Sequence, residues 1–293
     1  MRYLKPALTF DQQLDLLRQR GLTVHDPARA LRWLRSVSYY RLSAYFPPFK
    51  DGEQFCPEVD FNEIAGLYIF DRKLRLLVLD AIERIEVAIR TSVTYEIGHA
   101  YGTFGHTDPA NFAPKFDHQR FMCELSDEER RAKETLETFA LHYRKQYAEE
   151  THLPVWMATE LLSFGTISRL YRSLHPKLKQ KVAAPYDVDA QFLVSWLHTL
   201  TYVRNVCAHH KRLWNRHFAI KPRFPSHNPA WPHQVPDNKK LYAVLIVLRH
   251  MMMVNSPNSK WAGRLHDLLA AHPTVPQSAM GFPTGWQKLA TWR

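Results

Sequence analysis

From Asp60 to about Gly98 one apolar stripe continues for nearly forty residues, with Leu67, Phe70, Leu74, Leu77, Ala81, Ile85 and Ala88 at spacings of three and four. That period belongs to a helix with one face in a core. The length exceeds an ordinary globular helix. The pattern therefore predicts either a central scaffold helix or a helix broken near Arg72 to Arg75. Only ten glycines occur, and no sustained alternation of β-branched residues, which argues against a large sheet. The fold class read from the chain is all-α.

Other helices announce themselves by their caps. Thr9-Phe10-Asp11-Gln12 reads as a capping box opening a helix that stops near Gly21. Asp26-Pro27 is an N-cap followed by proline, opening a second helix toward Tyr39, and Pro47-Pro48 closes this unit. Residues 99 to 120, rich in Gly, His, Pro and aromatics, read as a long loop. Ser126-Asp127-Glu128-Glu129 reads as a second capping box, opening a charged helix to about Tyr147. Its opposite charges at i,i+4 suit a solvated face. Shorter helices follow around Pro154 to Leu162, Thr166 to Leu174 and Lys177 to Ala183, then one from about Asp189 to His210. Pro222, Pro225, Pro229, Pro232 and Pro236 make 220 to 238 an extended connector. Two last helices are expected at about 238 to 254 and 258 to 271. The expected organisation is an N-terminal helical unit over 1–50, a helical core over 60–225 with an excursion at 99–150, and basic C-terminal helices over 226–293 packed on that core.

The segment richest in chemistry is Arg204-Asn205-Val206-Cys207-Ala208-His209-His210-Lys211-Arg212-Leu213-Trp214-Asn215-Arg216. It is either an active site or the polar end of an ordinary helix. Charge favours an anionic partner. Thirteen Lys and Arg face only Asp237 and Asp267 between Ala190 and Arg293, so residues 1–189 hold equal numbers of bases and acids. A confined basic surface attracts polyphosphate through counterion release. Lys211, Arg212, Arg216, Lys221 and Arg223, interleaved with Trp214, Phe218 and Phe224, are the candidate RNA contacts, or else a solvated face around buried aromatics. Ser38 to Tyr45 offers aromatics and Arg41 as a stacking platform, or forms a packed helix end.

Within the motif helix, Leu193, Trp196, Leu200, Val203 and Cys207 form one buried stripe, and His210 continues it. Cys207 reads as a core residue; His210 reads either as a structural histidine or as a catalytic one. His209 shares a face with Asn205. Arg204 lies about 140° from His209 around an ideal helix. One copy focuses these groups poorly, and two copies across a symmetry axis would do better, which points to a homodimer. These groups suit RNA transesterification, with His209 as general acid or base, Arg204 on the non-bridging phosphate oxygens and Asn205 orienting either. No clustered carboxylates surround the motif, and no metal or other cofactor is expected. The Arg-x4-His spacing recurs at Arg20–His25 and Arg212–His217, so the spacing alone decides nothing.

Cys56, Cys123 and Cys207 are far apart and form no CxxC pair, which fits a reducing cytosol. The N-terminal residues lack an apolar signal-peptide region, and the longest apolar run, Leu241 to Leu248, is too short to span a bilayer. A soluble cytoplasmic protein without a membrane partner is expected.

Several segments, taken in order, resemble the Abi_2 (AbiD/AbiF-like) abortive-infection family of the HEPN ribonuclease superfamily. They are Lys5-Pro6 with Leu8-Thr9-Phe10, Ser38-Tyr39-Tyr40-Arg41-Leu42-Ser43-Ala44-Tyr45, Asp71-Arg72-Lys73-Leu74-Arg75, and Glu83 to Arg90. They continue with Ser163-Phe164-Gly165-Thr166-Ile167-Ser168, Ser195-Trp196-Leu197 and the Arg204 to Arg216 segment. The resemblance covers most of residues 4 to 225. It implies a HEPN-like helical bundle and a metal-independent endoribonuclease leaving 2′,3′-cyclic phosphate and 5′-OH ends. Arg204 and His209 would be its catalytic pair and Asn205 the polar residue after the arginine. It implies two paired motifs, so one motif per chain means a homodimer or weak activity. It also implies a toxin that halts translation, with tRNA a target class and a small RNA as possible antitoxin. A protein that binds RNA without cutting it is the alternative. A DNA-binding regulator is a third reading, weakened because no compact helix-turn-helix is evident.

Overall fold

The computed structural model describes residue 2, residues 6–225 and residues 235–292. Lys5 and residues 226–234 of the proline connector, including Pro229 and Pro232, lie outside the described residues. The fold is all-α, as the periodicity predicts. Among the described residues there are twelve α-helices and one two-stranded hairpin.

The long stripe becomes a single unbroken helix. The first three helices are α1 (Phe10–Gln19), α2 (Pro27–Val37) and α3 (Tyr39–Ser43), and the hairpin is β1 (Lys50–Asp51) with β2 (Gln54–Phe55), antiparallel. Then α4 runs over Phe61–Tyr101, 41 residues or about 60 Å. Asp60 and Glu63 cap its start reciprocally, and Gly102, with φ 80°, ends it. No break occurs at Arg72 to Arg75, because Asp71 and Arg75 pair one turn apart inside the core instead of interrupting it. Buried residues appear on several sides of α4, so it acts as an axle with helices around it.

After α4 come α5 (His118–Glu134), α6 (Thr138–Gln146), α7 (Val155–Ala158), α8 (Phe164–Ser173) and α9 (Pro176–Ala183). The motif helix is α10 (Ala190–Ala208), followed by α11 (Leu241–Asn255) and α12 (Trp261–Ala270). Helices α7 to α12 all pack on α4, and α10 also packs on α8 and α9. The Glu86–Arg90 pair forms at 2.9 Å. Arg90 also donates to the Thr159 and Leu162 carbonyls, fastening the turn after α7 to the axle. Among the described residues no helix is long and apolar enough to cross a membrane.

Several sequence expectations need correction. The second helix stops at Val37, because Ser38 takes φ 73° and its hydroxyl caps α3 by accepting from Arg41 N. Ser126 opens no helix. Asp117 caps α5 by accepting from Arg120 N at 3.0 Å, and the buried stripe Phe121, Leu125 and Ala132 runs straight through Ser126. The charged segment is also two helices, parted at Leu136 with φ 59°. The motif helix ends at Ala208, two residues early, and this early end decides where His209 and His210 lie.

The loop after α4 contains one acid-sensitive group. His106 is 0% exposed, and among the described residues neither ring nitrogen has a hydrogen-bond partner. Burial, with smaller contributions from His152 and His118, lowers its pKa from 6.5 to about 4. The folded protein holds it neutral while the unfolded chain protonates it. Stability is therefore full above 6.5 and falls as the pH drops from 6.5 to about 4. Denaturant unfolding of the native chain and of His106→Leu at pH 7 and pH 4 is expected to differ by about 3 kcal/mol in acid-induced loss. An equal loss in both would contradict the assignment.

Candidate functional site

The site begins with how α10 ends. Leu193, Trp196, Leu200, Val203 and Cys207 are buried as predicted. Burial pushes the Cys207 thiol up to about 12, which suits a core residue and not a nucleophile. After Ala208 the chain turns through a Schellman closure. His210 N donates to Cys207 O and Lys211 N donates to Val206 O, both at 3.0 Å. The residue at the left-handed position of such a turn is usually glycine, and here it is His210, with φ 55°. This corrects the expectation that His210 continues the buried stripe. The helix has already ended, and the turn leaves His210 exposed. Holding a side chain in that conformation costs about 1–2 kcal/mol.

A buried carboxylate fixes the chain beyond the turn. Asp71 is 0% exposed. Its Oδ1 accepts from Leu213 N at 3.1 Å and Trp214 N at 2.6 Å, and its Oδ2 accepts from the Tyr45 hydroxyl at 2.6 Å. Arg75 completes the set, pairing with Asp71 and donating to Tyr45 Oη at 3.1 Å. Burial pushes the Asp71 carboxyl up, while Arg75, Tyr45 and the two backbone N–H groups oppose that shift. Burial, followed by the Asp71 charge, pushes the Tyr45 hydroxyl up, so it stays a donor. Two more links tie the same strip of chain to α3. Arg41 Nη1 donates to His210 O at 2.7 Å, and Arg212 Nη1 donates to Ala44 O at 2.5 Å. Asn215 also sits at positive φ, 48°, and its Oδ1 accepts from Lys240 Nζ at 3.0 Å.

The candidates are thereby sorted. Arg204, Asn205, His209 and His210 are all exposed. Among the described residues none of their side chains has a hydrogen-bond or ion-pair partner. Arg204 lies just before the last turn of α10, and His209 is the C-cap, with φ −85° and ψ 12°. Lys211 is exposed, whereas Arg212 and Arg216 are half-buried, and Arg216 Nε donates to Arg212 O at 2.7 Å. Lys221 and Arg223 are exposed along the connector. Arg223 N donates to Ser195 Oγ, and Trp196 Nε1 donates to Arg223 O, so the connector runs back along α10. Ser195 precedes Arg204 by nine residues, about 14 Å of helix. Among the described residues no group of His, Cys, Asp and Glu is arranged to hold a metal ion.

Segment Ser38 to Tyr45 divides between the two readings given for it. Leu42 and Tyr45 are buried, as in a packed helix end, while Tyr40 is 88% exposed and Arg41 reaches the motif turn. Sequence reasoning offers Arg41 only as part of a stacking platform; it missed the Arg41 bond to the motif turn, and Tyr45, Asp71 and Arg75 as the support beneath the site. One signal was available: Asp71 and Arg75 are a carboxylate and a guanidinium at i,i+4 beside the core residues Phe70 and Leu74. The partners from residues 45 and 213–214 are distant in sequence, and no local pattern reveals them.

The family model described as Abi-like protein, Abi_2, matches residues 32–215. This chain belongs to the Abi-like family. The matched span opens within α2 and closes just beyond Trp214, so it contains every residue of the Asp71 network and the whole motif turn. No curated protein and no solved structure matches the chain.

If the left-handed turn is strained by its side chain, His210→Gly is expected to raise stability by about 1 kcal/mol, the relief exceeding the added chain entropy. Urea unfolding measures this. A destabilised variant would mean that the imidazole makes contacts that outweigh the strain.

Proposed function

We infer that this Abi-like protein is a metal-independent endoribonuclease acting in phage defence of the abortive-infection type. One observation carries this reading. Arg204, Asn205, His209 and His210 stand exposed, with no side-chain partner among the described residues, at a helix end whose following segment is held by Asp71 through the Leu213 and Trp214 amides. Surface arginines usually find a carboxylate or lose themselves in solvent. Here the adjoining residues Lys211, Arg212 and Arg216 are cations as well, so the field favours phosphate.

The reaction proposed is transesterification. The RNA 2′-oxygen attacks the adjacent phosphorus as His209 takes the 2′-OH proton, and the bond from phosphorus to the 5′-oxygen breaks. The leaving 5′-oxygen takes up a proton from an imidazolium, giving a 2′,3′-cyclic phosphate and a 5′-OH end. Arg204 neutralises the non-bridging oxygens as charge builds on them. Asn205 orients phosphate or imidazole, and His210, turned outward, is available as the second proton-transfer group. DNA lacks the attacking hydroxyl, so the mechanism selects RNA. Lys211, Arg212, Arg216, Lys221 and Arg223 are proposed as contacts to the strand.

The roughly 140° between Arg204 and His209 on an ideal helix argues for a site completed by a second copy of the chain. The resemblance to HEPN ribonucleases supports that pairing, a tRNA substrate class and restraint by a small RNA. The same angle also favours a second reading. A single copy would hold RNA on its basic turn without cutting it.

Purified protein incubated with total RNA in EDTA, beside Arg204→Ala and His209→Ala, separates the two. The expected result is fragments with 5′-OH ends, reduced at least a hundredfold in each variant. RNA binding without cutting in the native chain would refute the enzyme reading, and preference for duplex DNA would refute both.

A further inference from the structure

A second cationic surface lies within the part of the chain whose charges balance overall. Lys115, Arg120, Arg169 and Arg172 line a cavity of about 450 Å³ between the loop before α5, the first turns of α5 and the outer face of α8. Phe116 and Phe121 supply its apolar wall, and Asp117 and Glu124 are its only acids. Four cations against two carboxylates leave a positive excess on a concave surface.

Neither acid fills the site. Asp117 is committed to capping α5 through Arg120 N. Glu124 accepts from Arg120 Nε at 3.0 Å on one oxygen and pairs with Arg169 on the other. It therefore holds two guanidiniums in fixed orientation, and each keeps further N–H donors to offer. Arg172 and Lys115 are exposed, and among the described residues neither side chain has a hydrogen-bond or ion-pair partner. Phe116 is only half-buried, packed at 5.7 Å from Phe121.

Planar guanidiniums match phosphate oxygens two at a time, and an accessible ring offers a stacking face to a base. The volume falls in the range of small-ligand sites, roughly 300–1,000 Å³. We propose that this cavity binds a nucleoside phosphate, with the phosphate on Arg172, Lys115 and the free N–H groups of Arg120 and Arg169, and the base against Phe116. The ligand is either a free nucleotide or one nucleotide of an RNA strand. The opposite side of α8 carries Ile167, Leu170 and Tyr171 into the core, and a Cβ added at Gly165 would lie 3.4 Å from Thr201 Cγ2 of α10. An occupant is thus one helix away from the motif helix. The assignment goes beyond the cleavage reading and does not depend on it.

The test is calorimetric titration of the full chain, carrying Arg204→Ala and His209→Ala to prevent turnover. AMP, inorganic phosphate and an adenosine pentaribonucleotide are the probes. Saturable AMP binding assigns a free nucleotide, and binding of the pentamer alone assigns a strand. In either case the added pair Lys115→Ala and Arg172→Ala is expected to weaken binding roughly tenfold or more. Its melting temperature should be unchanged, since both side chains are unpartnered. In the pentamer arm the slope of log K against log salt should fall by about one per removed cation. Binding of neither AMP nor the pentamer, binding indifferent to the Lys115–Arg172 pair, or phosphate binding as tight as AMP would overturn the proposal.

Discussion

The carboxylate of Asp71 accepts hydrogen bonds from three separate stretches of chain, and the geometry of the motif depends on it. Tyr45 comes from the N-terminal unit, Arg75 from one turn along the same helix, and the Leu213 and Trp214 amides from the segment after the motif. Buried charge is expensive unless it is paired and fully hydrogen-bonded, and here it is both. Removing one member of such a set costs about 3–5 kcal/mol, since the others remain buried without a partner. A residue that contributes little by its presence and much by its loss specifies position more than it adds stability. In this protein the position specified is that of a strip of cations.

That strip cannot anchor itself. Lys211, Arg212 and Arg216 repel one another and gain nothing from burial beside their own kind. The fold answers with a chain of backbone links: the Schellman closure, the Asp71 acceptors, and the Arg41 and Arg212 bonds that cross to α3. All of these consume backbone groups, and among the described residues the polar side chains of Arg204, Asn205, His209 and His210 stay free. Positive φ values at Ser38, His210 and Asn215 mark where the chain is bent to make them. Strain collected around exposed titratable groups is a usual accompaniment of a working site.

The fold was legible where the physics is local. The spacing of Leu67, Phe70, Leu74 and Leu77 announced α4, and Thr9, Asp26 and Asp60 capped helices where oxygen side chains should. Ser126 misled because a capping-box pattern inside an apolar stripe is outweighed by burial of Phe121 and Leu125. The buried stripe does not reach His210, because the helix ends first at a turn that no glycine marks. The candidate site was legible as a list of residue types but not as an arrangement. Arg41 is 169 positions from His210, and Tyr45 and Trp214 meet only at Asp71, so the arrangement is a product of tertiary packing.

One buried carboxylate holds the cationic segment in place. Amide hydrogen exchange on the native chain and on Asp71→Asn tests it most directly, because the substitution keeps the shape of the side chain and removes its charge and half its acceptors. In Asp71→Asn the Leu213 and Trp214 amides should lose protection while the Leu193 to Val203 stretch of α10 keeps it. Unchanged protection at residues 213 and 214, or a uniform loss along α10, would contradict it.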